Sequence, residues 1–267
     1  MRMIKLCNLL ALLFTWQLAI PSSAIAQKLT YQYARLIRGN DTLNYRILYP
    51  KRIDQEKVYP LILFLHGSGE RGYDNEKQLL HGGNYFSSES NSEQFPAVVV
   101  FPQCSTNDYW ANVTISEQSD SLRSFMFNPS AAPTTSMKLT MALIDSLLQT
   151  NWINKKQVYI GGLSMGGMGA FELLYRKPEV FAAAFPICGG GNPELINNMV
   201  KEVQVWAFHG ADDPVVPPHL SEKMINAITK AGANARLTLF PNTGHNAWDR
   251  VFSSPELLQW LSTIQKE

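Results

Sequence analysis

The chain has 267 residues, with 23 basic and 22 acidic side chains and a formal net charge of +1. That balance supplies no global field to draw nucleic acid or an anionic membrane, so neither is an expected partner. The five histidines and three cysteines show no H-x-x-x-H, H-E-x-x-H or C-x-x-C spacing, and no Walker or Rossmann fingerprint occurs, so no metal and no cofactor is expected.

Met1-Arg2-Met3-Ile4-Lys5 is a short basic start, Leu6 to Ile20 is mostly apolar, and Ala24-Ile25-Ala26 makes an A-x-A site before Gln27. This pattern predicts a secretory signal peptide over 1–26 and an exported mature chain, periplasmic or extracellular, over 27–267. The apolar stretch is short for a spanning helix and no other stretch approaches that length, so no stable membrane insertion is expected after cleavage. Residues Leu29–Ile37 and Thr42–Tyr49, split by Arg38-Gly39-Asn40-Asp41, predict a β-hairpin. Short apolar runs of the buried-strand kind follow at Leu61–Leu65, Ala97–Phe101, Val158–Ile160, Ala182–Ile187, Val203–Phe208 and Leu237–Phe240. Helical patterns fall between most of them, at Met137–Leu148, Gly167–Tyr175, Pro193–Val200 and Leu220–Ala231, with a last one at Pro255–Ile264. Strands alternating with helices imply one mainly parallel sheet covered on both faces. Residues 105–136 form a long connection, a length that suits a partial lid.

The densest signal is Gly162-Leu163-Ser164-Met165-Gly166. It is a G-x-S-x-G pentapeptide preceded by an apolar strand and followed by a helix, the setting of a nucleophile elbow. So sharp a turn admits only small flanking residues. Ser164 then stands at the N-terminus of the next helix, where backbone N–H groups face developing negative charge.

A hairpin followed by six parallel strands resembles the α/β-hydrolase fold, a single domain on a mostly parallel eight-stranded sheet with helices on both faces. In that fold the elbow follows the fifth strand, and Val158–Ile160 is fifth here. The fold's strand order sets Cys104 and Cys188 three spacings of about 4.8 Å apart, roughly 14 Å. A disulfide needs Cα atoms within about 7 Å, so two free thiols are expected.

A serine hydroxyl needs a base within hydrogen-bond reach and a carboxylate to orient that base. The resemblance implies the chain order serine, acid, histidine. His66 and His81 precede Ser164, His209 suits a turn after its strand, and His219 opens a helix; His245, after the last strand, is the expected base. His209-Gly210-Ala211-Asp212-Asp213-Pro214-Val215-Val216-Pro217 fits the family's H-G-x-x-D-x-x-V-P, which aligns Asp213 with the acid; Asp212 is the adjacent alternative. The backbone N–H of Met165 is one expected oxyanion donor. The second is assigned to Ser68, with Gly69 as competitor, in the loop Leu65-His66-Gly67-Ser68-Gly69-Glu70-Arg71-Gly72.

His66-Gly67-Ser68-Gly69-Glu70-Arg71-Gly72-Tyr73-Asp74-Asn75-Glu76, Phe101-Pro102-Gln103-Cys104 and Gly244-His245-Asn246-Ala247-Trp248 are similar to motifs of secreted bacterial serine esterases of the phospholipase/carboxylesterase-like group. That group is related to feruloyl esterases and polyester depolymerases. The resemblance implies a serine esterase acting on small-molecule or carbohydrate-linked esters. A peptidase with the same machinery and a non-catalytic binding module are the alternatives. Trp248 and Trp110 are candidate walls of a substrate pocket. Glu70, Arg71, Asp74 and Glu76 make either a polar binding cluster or a solvated loop.

Overall fold

The computed structural model describes residues 30–54, 56–117, 123–128 and 132–267. The leader expected at 1–26 lies outside the described residues. The strands are β1 (Gln32–Arg38), β2 (Asp41–Leu48), β3 (Tyr59–Leu65), β4 (Val98–Pro102), β5 (Val113–Glu117), β6 (Arg123–Phe127), β7 (Ile153–Leu163), β8 (Ala183–Ile187), β9 (Gln204–Gly210) and β10 (Ala235–Phe240). Eight of them form one sheet in the order β1-β2-β4-β3-β7-β8-β9-β10. β1 and β2 pair antiparallel, β2 meets β4 antiparallel, and every later pairing is parallel. This is the α/β-hydrolase plan, with its antiparallel N-terminal hairpin.

The central strands read as unbroken apolar runs because each face of the sheet has its own core. Leu61, Leu63 and Leu65 of β3 enter one core, and Ile62 and Phe64 enter the other. This is the period-two alternation of a strand with helices on both sides. Two short helices, α1 (Gly83–Ser87) and α2 (Glu89–Gln94), precede β4, and the first core takes Leu143 and Ile144 of helix α3 (Thr135–Leu148), Phe171 and Leu174 of α4 (Met165–Arg176), and Met224 and Ile228 of α5 (His219–Lys230). The second takes Val251 of α6 (Ala247–Phe252) and Leu257, Leu258 and Leu261 of α7 (Glu256–Ser262). No helix of the described residues is long and apolar enough to cross a membrane.

Two expectations change. The helix expected over 193–200 is instead two 3-10 turns, Pro193–Leu195 and Asn198–Glu202. The Asn192 side chain accepts from the Glu194 N–H and the Asn197 side chain from the Met199 N–H, so the chain is capped twice within six residues and no α-helix propagates. The long connection after β4 carries the separate β5–β6 hairpin. Its Val113, Phe125 and Phe127 pack with Met168, Val215, Val216 and Leu220, so it leans on α4 and the loop after β9.

Cys104 and Cys188 are buried free thiols, and β3 and β7 lie between their strands. Burial pushes both thiols up to about 12, so neither is a thiolate near neutral pH.

Around the β7–α4 turn the backbone is packed to contact. A Cβ built on Gly166 would stand 1.9 Å from the Leu65 carbonyl oxygen, and one on Gly162 2.3 Å from the Gly166 carbonyl oxygen. Beside this turn the loop after β3 is held by buried His66. Its Nε2 accepts from the Cys104 N–H at 2.9 Å, which leaves the ring hydrogen on Nδ1, donated to the Gly67 carbonyl oxygen at 2.6 Å. A second ring proton would face the Cys104 N–H, and burial holds the imidazole down at about 4.

This packing can be tested by unfolding. Gly166→Ala should lower the urea unfolding free energy by at least about 2 kcal/mol, because backbone and not a flexible side chain blocks the new methyl. Gly69→Ala, with nothing within 4 Å of its Cβ position, should change it by less than about 0.5 kcal/mol. For His66 the unfolded chain binds the proton more readily than the native one, so its stabilising effect is complete above about pH 6.5 and lost as pH falls toward 4. Urea titrations at pH 7.5 and 4.5 should show a loss of about 2–3 kcal/mol from this group, absent in His66→Gln.

Candidate active site

The turn between β7 and α4 places Ser164 at φ 53°, ψ −118°, a left-handed conformation that costs a side-chain-bearing residue about 1–3 kcal/mol. Its N–H donates to the Ile187 carbonyl oxygen at 2.8 Å, and its carbonyl oxygen accepts from the Met168 N–H at 3.0 Å. These bonds and the flanking glycines hold the strained residue. The hydroxyl is thereby presented, half-buried, above the carboxyl edge of the sheet.

The loop after β10 brings His245 to it: His245 Nε2 lies 2.8 Å from Ser164 Oγ. His245 Nδ1 lies 2.7 Å from Asp213 Oδ2, in the loop after β9. A carboxylate only accepts, so Nδ1 carries the ring hydrogen and the Nε2 lone pair is left for the serine hydroxyl. Asp213 Oδ1 is fixed by the N–H groups of Val215 at 2.9 Å and Val216 at 3.0 Å. Burial alone would raise the Asp213 carboxyl. The donors around it, His209, His245 and the Val216 N–H, outweigh burial and hold it well below the usual carboxylate range. Asp212, the adjacent alternative, is exposed, and its N–H bonds the Thr243 carbonyl oxygen.

The loop Gly67–Glu70 lies against this group, with Ser68–Glu70 as a 3-10 turn. A Cβ built on Gly67 would stand 3.7 Å from Ser164 Cβ, so the start of this loop lies against the elbow. Met165 opens α4 directly after Ser164. Trp248, half-buried on α6, contacts the His245 ring edge-on at 5.4 Å and the His81 ring at 5.2 Å. Trp110 does not line a pocket as expected. It is fully buried, its Nε1–H donates to the His66 carbonyl oxygen at 3.0 Å, and its ring packs edge-on against His66. Trp110 thus backs the loop from below, a place large enough for its ring because α4 offers only Gly169 there.

The charged loop is divided: Arg71 is half-buried and Asp74 and Glu76 are exposed, while Glu70 turns inward. Glu70 is buried, with Oε1 3.8 Å from His81 Nε2. Asp74 Oδ1 accepts from the Glu76 and Lys77 N–H groups and the Gln103 amide, folding the segment onto itself.

Cys188, His209 and Asp213 bring ligand-type atoms within 4.8 Å of one another. In that set the Asp213 oxygens are taken by N–H donors, and both His209 ring nitrogens are already engaged by Ser221 and Val216. His66 was set aside by chain order and His209 as a turn residue. In each case the signal was present, in H-G after β3 and in the four-residue spacing from His209 to Asp213.

The phospholipase/carboxylesterase family model matches residues 52–261. The chain is 25% identical over 245 residues to an endo-1,4-beta-xylanase/feruloyl esterase of Xylanibacter ruminicola, covering 89% of this chain and 28% of that protein. It is 26% identical over 157 residues to a bifunctional acetylxylan esterase/xylanase of Neocallimastix patriciarum, covering 59% of this chain and 20% of that protein. The chain therefore spans under a third of either relative. A solved thermostable esterase superposes with a TM-score of 0.76 at 28% identity, covering 91% of this chain and 64% of that one. With this fold and a matching model over most of its length, the chain belongs to the phospholipase/carboxylesterase family, an esterase group of the α/β-hydrolases.

Proposed function

We propose that this protein hydrolyses carboxylic esters through an acyl-enzyme on Ser164. The observation that carries the reading is the unbroken relay from Asp213 Oδ2 to His245 at 2.7 Å and from His245 to Ser164 Oγ at 2.8 Å. His245 Nε2 takes the serine proton as Oγ attacks the ester carbonyl, and returns it to the departing alkoxide. Asp213 holds the imidazole in the tautomer that leaves Nε2 free. The N–H groups of Met165 and Ser68 receive the oxyanion, at the start of α4 and in the 3-10 turn beside Gly67. Water then enters against the acyl carbonyl, activated by the same His245, and releases the acid.

Trp248, in contact with the base, forms one wall for the substrate. We assign the substrate to small or carbohydrate-linked acyl esters, a class consistent with the acetylxylan and feruloyl esterase activities in the names of the two relatives. The leader pattern at 1–26 supports export. Mass spectrometry of the protein recovered from a bacterial periplasm or medium should then find Gln27 as the first residue; an intact Met1 start there would overturn this part of the reading.

The test is turnover of p-nitrophenyl acetate, a longer-chain ester, a feruloyl ester and a peptide amide. Ester turnover should fall by at least about a thousandfold in Ser164→Ala, and by up to about ten-thousandfold in Asp213→Asn, where the imidazole loses its orienting acceptor. Ester turnover surviving Ser164→Ala would overturn the nucleophile. Amide turnover outpacing the esters would replace the esterase by the peptidase.

A further inference from the structure

We infer that His209 is a positioning residue of the reaction: a second imidazole that fixes the catalytic carboxylate at the same oxygen that His245 meets. The inference rests on the Ser164–His245–Asp213 reading above. His209 Nε2 stands 3.2 Å from Asp213 Oδ2, the same oxygen that His245 Nδ1 meets at 2.7 Å. Nε2 also lies 2.9 Å from the Val216 carbonyl oxygen. Both neighbours are acceptors, so Nε2 carries a hydrogen and donates it between them. The other ring nitrogen, Nδ1, lies 2.8 Å from the Ser221 hydroxyl, which is 2.9 Å from the Gly189 carbonyl oxygen.

The placement gives this contact a consequence. His209 is wholly buried near the end of β9, paired with Leu239 of β10, so its ring moves little. Gly189 in turn abuts α4: a Cβ built on it would lie 2.6 Å from the Gly167 carbonyl carbon, three residues after Ser164. His209 therefore ties the acid loop, the first turn of α5 and the strand end beneath the nucleophile into one frame. Asp213 Oδ1 is set by two backbone N–H groups; Oδ2 takes His245, and His209 is the rigid donor on that oxygen. Without it Oδ2 keeps only the partly exposed His245 as a donor, so the oxygen that orients that ring loses its one rigid partner. His209 touches neither Ser164 nor the space above it, so it acts through Asp213.

A residue that merely fills the turn would move stability alone, so the test reads catalysis and the acid separately. His209→Met keeps the volume without a donor; His209→Gln offers an amide N–H near the position of Nε2. We expect His209→Met to lower kcat on p-nitrophenyl acetate about 10- to 100-fold with KM within about twofold, and His209→Gln to recover to within about fivefold of the native enzyme. The far-downfield proton NMR resonance of His245 Nδ1–H should shift in His209→Met and return in His209→Gln. In an Asp213→Asn background, His209→Met should cost nothing further, because the two act on one oxygen. If the methionine variant does not fold, His209→Asn, whose amide stops short of Oδ2, replaces it with the same expectations. A folded donor-less variant with native kcat and a native resonance would overturn the inference, as would a full additional loss in the Asp213→Asn background. Native turnover in Asp213→Asn itself would instead fell the triad reading beneath it.

Discussion

The site depends on one steric fact: at the end of β7 the chain must reverse while touching the end of β3. The Leu65 carbonyl oxygen sits where a side chain on Gly166 would be, and the Gly166 carbonyl where one on Gly162 would be. The chain meets this constraint with a left-handed turn at Ser164, and the loop after β3 packs against the same residue at Gly67. Strain of this kind persists only where the surroundings over-determine it. Here β7 is clamped between β3 and β8, and α4 is sunk between the sheet and Trp110, so the surroundings do so. A slacker turn would relieve Ser164 and withdraw its oxygen from His245.

The parallel sheet then does the gathering. Parallel strands all end on one edge, so loops distant in sequence meet there without long excursions. Ser164 comes from β7, Asp213 from β9, His245 from β10 and the Gly67–Glu70 turn from β3. Each loop is pinned by buried polar groups. His66 bonds across to Cys104 at the end of β4, Trp110 bonds back to His66, and His209 reaches both Val216 and Ser221. Trp110 also fills part of the larger core, but it is the hydrogen bonds of these groups that convert a fold into a defined site geometry.

Most of this was legible where a residue's role depends on its neighbours in the chain. G-x-S-x-G after an apolar strand marks its own turn, and the apolar runs at Leu61–Leu65 and Ala182–Ile187 mark buried strands because both faces demand hydrophobic residues. The assignments that needed revision depend on what arrives from elsewhere. Trp110 looked like a pocket wall, since nothing local tells an aromatic ring that faces substrate from one that fills the space above Gly169. Pro193–Val200 carries helix-like spacing, and only the paired asparagine caps show why it breaks. Of the charged run Glu70–Glu76, Glu70 turned inward, where Gln103, twenty-seven residues after Glu76, holds the loop with hydrogen bonds to Asp74 and to the Glu70 carbonyl oxygen. Likewise the four-residue gap from His209 to Asp213 is visible in the chain, yet its meaning appears only when the turn folds the carboxylate back onto the ring.

The acid shows how burial and catalysis come to share the same bonds. A desolvated carboxylate left alone would take up a proton and cease to orient its histidine. Asp213, with no exposed side-chain surface, keeps its charge because the Val215 and Val216 N–H groups, His209 and His245 all aim hydrogens at it. Three of those four donors are locked into backbone or a strand, and the fourth is the partly exposed ring that must meet substrate. The division is a physical necessity. If the carboxylate depended on His245 alone, each excursion of that ring during turnover would leave a buried, unpaired charge, and the acid loop would rearrange to relieve it. In the proposed reaction, fixed donors let the histidine exchange protons with Ser164 and the leaving group while the charge beneath it stays in place.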